Sequence, residues 1–504
     1  MNYPKTAEQW GMWEIALKGH SDKNPFVDYD IKASFSCDAE CVNVNGFYDG
    51  NGVYKVRFMP SFAKEYQFKI SGSFQDDEYM GSFKVHEHSC DNHGQVSPRG
   101  FHFEYADGTP YFPLGTTAYV WALQSRDLQA QTIKELSNGW FNKIRFCVFP
   151  KHYLYNIHDP ISFPYEGTPC KFSGPIKGNF YRLMGVQPGN NWDFKRFNPE
   201  HFQNIENAIA ELSRLGIEAD LILMHAYDRW GFSTMTADED DLYIRYVIAR
   251  FAAYRNVWWS LANEYDLLRS KTVADWERMA NIIVNQDPYK HLRSIHNCGP
   301  MYDYTRPWIT HCSIQRTDLY KCAEYTDDYR TRYQKPIVLD EIAYEGNIDQ
   351  GWGNISGKEL VRRFWEAAMR GGYATHGETY ENPDDILWWS HGGNLHGESH
   401  KRIRFLHKIL TQTPSQGLCR MQSSWDETAA TAEQMGDSGY YIYYYGFNRP
   451  SKRKFYMPEG VRYKAEIIDT WDMTIKSVGE YEGEFEIKLP GKEYMAIRLV
   501  RNNL

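Results

Sequence analysis

From about residue 101 onward, short apolar runs alternate with helical segments, and the alternation repeats eight times in about 310 residues. The runs are YFPLGTTAY, FNKIRFCVFP, GIEADLILMH, NVWWSLANEYD, LRSIHN, ITHCSIQ, KPIVLDEIAYEG and GGYATHGETY. Helical segments are expected at about 127–137, 201–215 and 357–370, and SHKRIRFLHKIL follows the last run. Strands that are apolar along their whole length are buried on both faces, which means a parallel sheet covered by helices. Eight steps without a Gly-rich phosphate loop favour a closed (β/α)8 TIM barrel over an open sheet.

The flanks have a different period. Residues 1–90 carry β-rich runs, among them DYDIKASFS, VYKVRFMP and EYQFKISGSF, bounded by Gly, Pro, Asn and Asp. YDGNG between two of them reads as a hairpin turn, so a β-sandwich is expected over 1–90. The barrel is expected over 91–414. SGYYIYYYGFN, KAEIIDTW and YMAIRLV predict a small C-terminal β-sandwich over 415–504.

Barrel enzymes place their chemistry at the C-terminal ends of the strands. Two apolar runs end in acids: VWWSLANEYD at Asn263-Glu264 and PIVLDEIAYEG at Asp340-Glu341. Two carboxyls facing each other across a barrel mouth are what glycoside hydrolysis needs. One protonates the leaving oxygen, and the other attacks the anomeric carbon or activates water. Strand alternation turns Asp340 away from Glu341, and Glu345 lies beyond the strand end. His225 ends the third run and His296 the fifth. A strand-end His is often structural, but two on one mouth point to substrate contact. The connection from Lys151 to Pro199 is long enough to be functional and suggests a closed pocket acting on chain ends.

Composition narrows the partners. The formal charge is −9 with no Lys/Arg stripe, which speaks against nucleic acid. No run of 18 apolar residues predicts a membrane span. The nine Cys lack zinc-site spacing and read as free thiols. The N-terminus has no signal-peptide pattern, so a cytoplasmic location is expected. Aromatic residues make up 16% of the chain, which suits both sandwich cores and stacking on sugar rings.

An Asn-Glu ending the fourth strand and a Glu ending the seventh resemble the signature of the large glycosidase clan A. GFYDGNGVYKVRFMP and HFEYADGTPYFPLGTTAYVW further resemble bacterial enzymes with an immunoglobulin-like domain before an apiosidase-like barrel. This second resemblance covers the whole chain. It implies a retaining glycosidase, with Glu264 as acid/base and Glu341 as nucleophile, their carboxyls about 5–5.5 Å apart. It implies Asn263 on the sugar 2-hydroxyl and Arg145 near the nucleophile. Tyr344, Trp121 and one of Trp388 and Trp389, preferably Trp388, are further candidates for the sugar. Gln315 departs from the clan, which often has Tyr or His there against the nucleophile. Glu378 reads either as a sugar ligand or as the partner of an Arg. No metal or cofactor is expected. The partner is an oligosaccharide or glycoside, and a homo-oligomer is a further expectation. Two rivals are weaker. A metal-dependent barrel hydrolase lacks a His-x-His or His-Glu-x-x-His motif, and a non-catalytic carbohydrate-binding scaffold has no need of both carboxylates. The identity of the sugar stays open.

Overall fold

A computed structural model describes residues 3–171, 185–384, 386–423 and 425–502. Its centre is an eight-stranded parallel sheet. In chain order the strands are Gly115–Thr117, Lys143–Cys147, Glu218–Ile222, Val257–Ser260, Arg293–Ser294, Cys312–Gln315, Ile337–Glu341 and Tyr373–His376. Each pairs with its neighbour in the chain, and the eighth lies between the first and the seventh. A single bridge from His296 to Ser313 joins the fifth to the sixth and nearly closes the barrel.

The barrel is built from the two faces of apolar strands. One set of side chains packs on the helices. The other fills the interior, where charges replace the usual aliphatic layers. Lys143 Nζ bonds Asp220 (2.7 Å) and Asp340 (2.9 Å), and Arg145 Nε lies 3.5 Å from Asp220. Ser313 and Thr375 also donate to Asp340, at 2.5 and 2.7 Å. Leaving either sign unpaired in this interior would cost several kcal/mol, roughly 3–5 on breaking a buried pair. Helices start where the sequence supplies caps: Ser125, Asn198, Thr236, Thr272 and Ser356 each accept a backbone N–H of the first turn. One of the eight expected steps is incomplete. Among the described residues, no helix separates the fifth and sixth strands. The 151–199 connection contains a hairpin of Tyr165–Thr168 and Asn191–Phe197, and its stretch 172–184 lies outside the described residues.

Antiparallel sheets flank the barrel. At the N-terminus a five-stranded and a three-stranded sheet enclose an aromatic core, where Phe35 stacks on Phe58 at 4.1 Å and Trp13 on Phe83 at 4.8 Å. Arg57 of this unit reaches Glu206 (2.5 Å) and the Arg250 carbonyl (2.6 Å) on two barrel helices. At the C-terminus a six-stranded and a two-stranded sheet pack together. Glu433 there is held by Arg330 (2.8 Å) and His102 (2.6 Å). No helix among the described residues is long and apolar enough to cross a membrane.

Candidate active site

The fourth strand is prolonged past Ser260 by ladder bonds from Leu261 N–H to Ser294 and from Asn263 N–H to Met224 (2.8 and 2.9 Å). Glu264 then adopts a left-handed backbone, with φ of 53°. For a non-glycine residue this costs about 1–2 kcal/mol. The turn brings the carboxyl to the barrel mouth instead of continuing the strand. Glu341 ends the seventh strand and reaches the same place. Both carboxyls line one cavity of about 180 Å³ at the C-terminal end of the barrel. A larger space, about 750 Å³, lies at the opposite end beside Glu8, Glu218 and Arg255, away from the strand-end acids.

The environments of the two acids differ. Glu341 accepts from the Tyr119 hydroxyl, and His296 Nε2 lies 3.4 Å from its Oε1. Burial alone would raise its pKa, but His296, the Arg145 charge and the Tyr119 hydroxyl together hold it well below the usual carboxylate range. Glu264 is pushed up, first by burial and then by the negative charge of Glu341, against the opposing effects of Lys151 and the Tyr227 hydroxyl. Tyr227 donates to Glu264 Oε2, as does the Asn263 amide (3.2 Å). Asn263 Oδ1 in turn accepts from Arg145 (3.3 Å) and lies 3.3 Å from the Tyr119 hydroxyl, whose single proton is on Glu341. Asn263 and Tyr119 thus stand between the two carboxyls. Gln315, with its amide nitrogen toward Glu264, donates to Glu264 Oε1 (3.1 Å) and to the Asn297 carbonyl (3.2 Å). Gln315 thus serves Glu264, and Tyr119 supplies the hydroxyl on Glu341.

Several residues expected to touch substrate stand elsewhere. Trp388 is buried, with its indole N–H on Thr116 (2.8 Å) and its ring against Phe141. Trp389 is the one that lines the cavity, facing Trp352 at 4.9 Å. Trp121 packs on Phe146 in the core, because the short helix Trp121–Leu123 turns its ring inward. His225 is buried beside Tyr227 with Nε2 on the Phe149 carbonyl (3.3 Å), and burial drives its pKa down to about 3. Asn263, Arg145, His296 and Tyr344 stand behind the wall of the cavity. Arg145 affects Glu341 through its charge, and Tyr344 packs against both Trp352 and Trp389. Asp340 is committed to Lys143 inside the barrel, apart from the cavity.

Sequence reading passed over Tyr119, Lys151, Tyr227, Cys298 and Trp352, all of which line the cavity, and preferred Trp388 to Trp389. Lys151 is the most unusual. It is 1% exposed, and Nζ sits over the rings of Tyr119 (3.3 Å), Tyr227 (4.1 Å) and Tyr153 (4.9 Å). No carboxylate pairs with it among the described residues. Burial lowers its pKa, countered by the nearby acids. The signal available was position: Tyr119, Lys151, Tyr227 and Cys298 all follow a strand end within a few residues.

Comparison with known proteins agrees with this architecture. Residues 97–440 match the model of the apiosidase-like catalytic domain. Residues 6–73 and 425–500 match two domains of unknown function, DUF5060 and DUF5605. The crystal structure of a candidate glycoside hydrolase from Bacteroides vulgatus superposes with a TM-score of 0.90 at 36% identity, over 99% of this chain and 100% of that one. A glycoside hydrolase family 5 structure from the same organism shares the fold, with a TM-score of 0.60 and 14% identity over 81% of this chain and 93% of that one. No curated protein sequence matches. The chain therefore belongs to the apiosidase-like family of glycoside hydrolases, with its catalytic barrel set between two β domains.

Proposed function

We propose that the enzyme is a retaining glycosidase that removes single sugar residues from the end of a short oligosaccharide or glycoside. The observation that carries the reading is the pair of buried carboxyls in one small cavity, one driven toward its protonated form and the other held ionised. In the first step Glu264 gives its proton to the glycosidic oxygen while the Glu341 carboxylate attacks the anomeric carbon. The aglycone departs and a glycosyl ester remains on Glu341. Esterification removes the negative charge that had raised the pKa of Glu264. The acid is then free to act as base on the incoming water, which attacks the same carbon and releases Glu341. Net retention follows from two inversions.

The size of the cavity supports exo action. At about 180 Å³ it is smaller than the roughly 300–1,000 Å³ of pockets for drug-sized ligands, and it suits about one sugar ring against the wall that includes Trp352 and Trp389. A panel of aryl glycosides differing in sugar identifies the glycone. End-product analysis on an oligosaccharide of that sugar then yields monosaccharide from the first time point. An initial ladder of internal fragments would overturn the exo reading.

Lys151 completes the recognition. Its ammonium lines the cavity, where a substrate oxygen would accept from it, and a hydrogen bond to a charged group contributes about 1.5–3 kcal/mol. The expected result for Lys151→Met is a loss of about 10- to 100-fold in kcat/KM. The same variant melts higher, because an unpaired buried charge has gone. An unchanged kcat/KM would make Lys151 a packing residue.

A further inference from the structure

Beyond Tyr344, the chain end of the seventh strand meets that of the eighth in a short parallel pair, Glu345–Gly346 with Glu378–Thr379. The pairing brings Glu345, His376 and Glu378 together, all buried, outside the cavity that holds Glu264 and Glu341. One carboxylate oxygen of each acid and one imidazole nitrogen lie within 4.8 Å of one another. Among the described residues, no Lys or Arg pairs with either carboxylate. The Arg partner, one of the two readings of Glu378, is not found among the described residues.

The imidazole points to what is needed here. His376 is fully buried, its Nδ1 lies 3.0 Å from Thr116 Oγ1, and its Nε2 has no partner. Thr116 Oγ1 already accepts from Trp388, and its second lone pair can take Nδ1–H. That tautomer leaves a lone pair on Nε2, the arrangement found when a histidine ligates a metal and its other nitrogen is fixed by an outer partner.

The backbone is shaped around these oxygens. Glu345 accepts from the N–H groups of Glu398 (2.9 Å) and Ser399 (3.0 Å), and Glu378 Oε2 from that of Gly397 (2.8 Å). A Cβ at Gly397 would fall 2.5 Å from Glu345 Oε2 and 2.7 Å from Glu378 Oε2, so only glycine fits. Glu345 Oε1 also accepts from the Tyr380 hydroxyl (3.2 Å), and Glu378 Oε1 from the His396 N–H; these bonds orient both carboxylates and leave a further lone pair on Glu345 Oε2 and on each oxygen of Glu378.

We infer that Glu345, Glu378 and His376 Nε2 bind a divalent transition-metal ion of the zinc or manganese class, with a structural role. One imidazole and two carboxylates are a suitable ligand set for such ions. The ion would pin the base of the segment carrying Trp352, whose carbonyl accepts from Tyr344 N–H (2.7 Å), to the segment carrying Trp389. The inference is independent of the catalytic roles of Glu264 and Glu341.

Metal analysis of the purified enzyme, before and after chelator dialysis and back-titration with Zn²⁺ or Mn²⁺, tests it. About one ion per chain, retained or taken up, is expected, with a higher melting midpoint in the loaded form. Glu378→Gln should abolish the stoichiometric metal and lower that midpoint by several degrees. If the two acids merely share a proton, Glu378→Gln instead keeps or raises the midpoint, and that outcome overturns the proposal. If the variant does not fold, the wild-type measurement decides by itself: no ion retained and none taken up also overturns it.

Discussion

Replacing Glu341 with glycine abolishes hydrolysis, by about 10⁴-fold or more, the scale set by removal of a group that acts covalently. The loss is chemical and not structural. Among the described residues, Glu341 pairs with no Lys or Arg that its removal would leave unpaired: Lys143 and Arg145 remain engaged with Asp220 and Asp340. Its contacts are the Tyr119 hydroxyl and His296. Truncation leaves room beside the anomeric carbon for a small anion. Azide therefore restores turnover, and the product is a glycosyl azide of inverted configuration, because only one displacement takes place. Retained activity in Glu341→Gly would remove this residue from the mechanism. A retained configuration in the azide product would point to a second nucleophile.

Glu264→Gln has the second largest expected effect, about 10²–10⁴-fold for substrates whose leaving group needs a proton. Aryl glycosides with acidic leaving groups lose much less in the first step. The pH profile adds a check that a structural role would not satisfy. In the wild type kcat/KM rises as pH passes upward through the lowered pKa of Glu341, because the nucleophile must be ionised. It falls as pH passes upward through the raised pKa of Glu264, because the acid must be protonated. Glu264→Gln removes the alkaline limb for activated substrates and leaves the acidic limb in place. An alkaline limb that survives the substitution would assign the proton to another group.

The barrel was legible because its strands are almost wholly buried and lie in short, mostly apolar runs, so the run itself marks the strand even though Lys143, Asp220 and Asp340 fill the interior. Glu264 and Glu341 were legible for the same reason: a charged residue ending such a run stands out. The walls of the cavity were not. Trp388 and Trp389 are neighbours in the short helix Trp388–His391, where adjacent side chains diverge, so the dipeptide alone could not say which ring faces the sugar. Trp121 follows its strand by a few residues, but a single helical turn carries it into the core. Tyr119, Lys151 and Tyr227 lie beyond strand ends, where loop conformation sets direction and no periodicity applies. Glu345 entered the reading only as a rival nucleophile. Its meeting with His376 and Glu378 depends on a two-residue parallel pair between segments some thirty residues apart in the chain.

The central claim is that Glu341 carries the glycosyl group between two displacements. Once the glycone is known, incubation with its 2-deoxy-2-fluoro glycoside bearing an activated leaving group slows the second step and traps the ester. Mass spectrometry of the digested protein should then find one glycosyl adduct per chain, on the peptide containing Asp340 and Glu341, with fragmentation placing it on Glu341. An adduct on any other residue, or a protein that stays unlabelled while turning over substrate with inversion, would contradict the account.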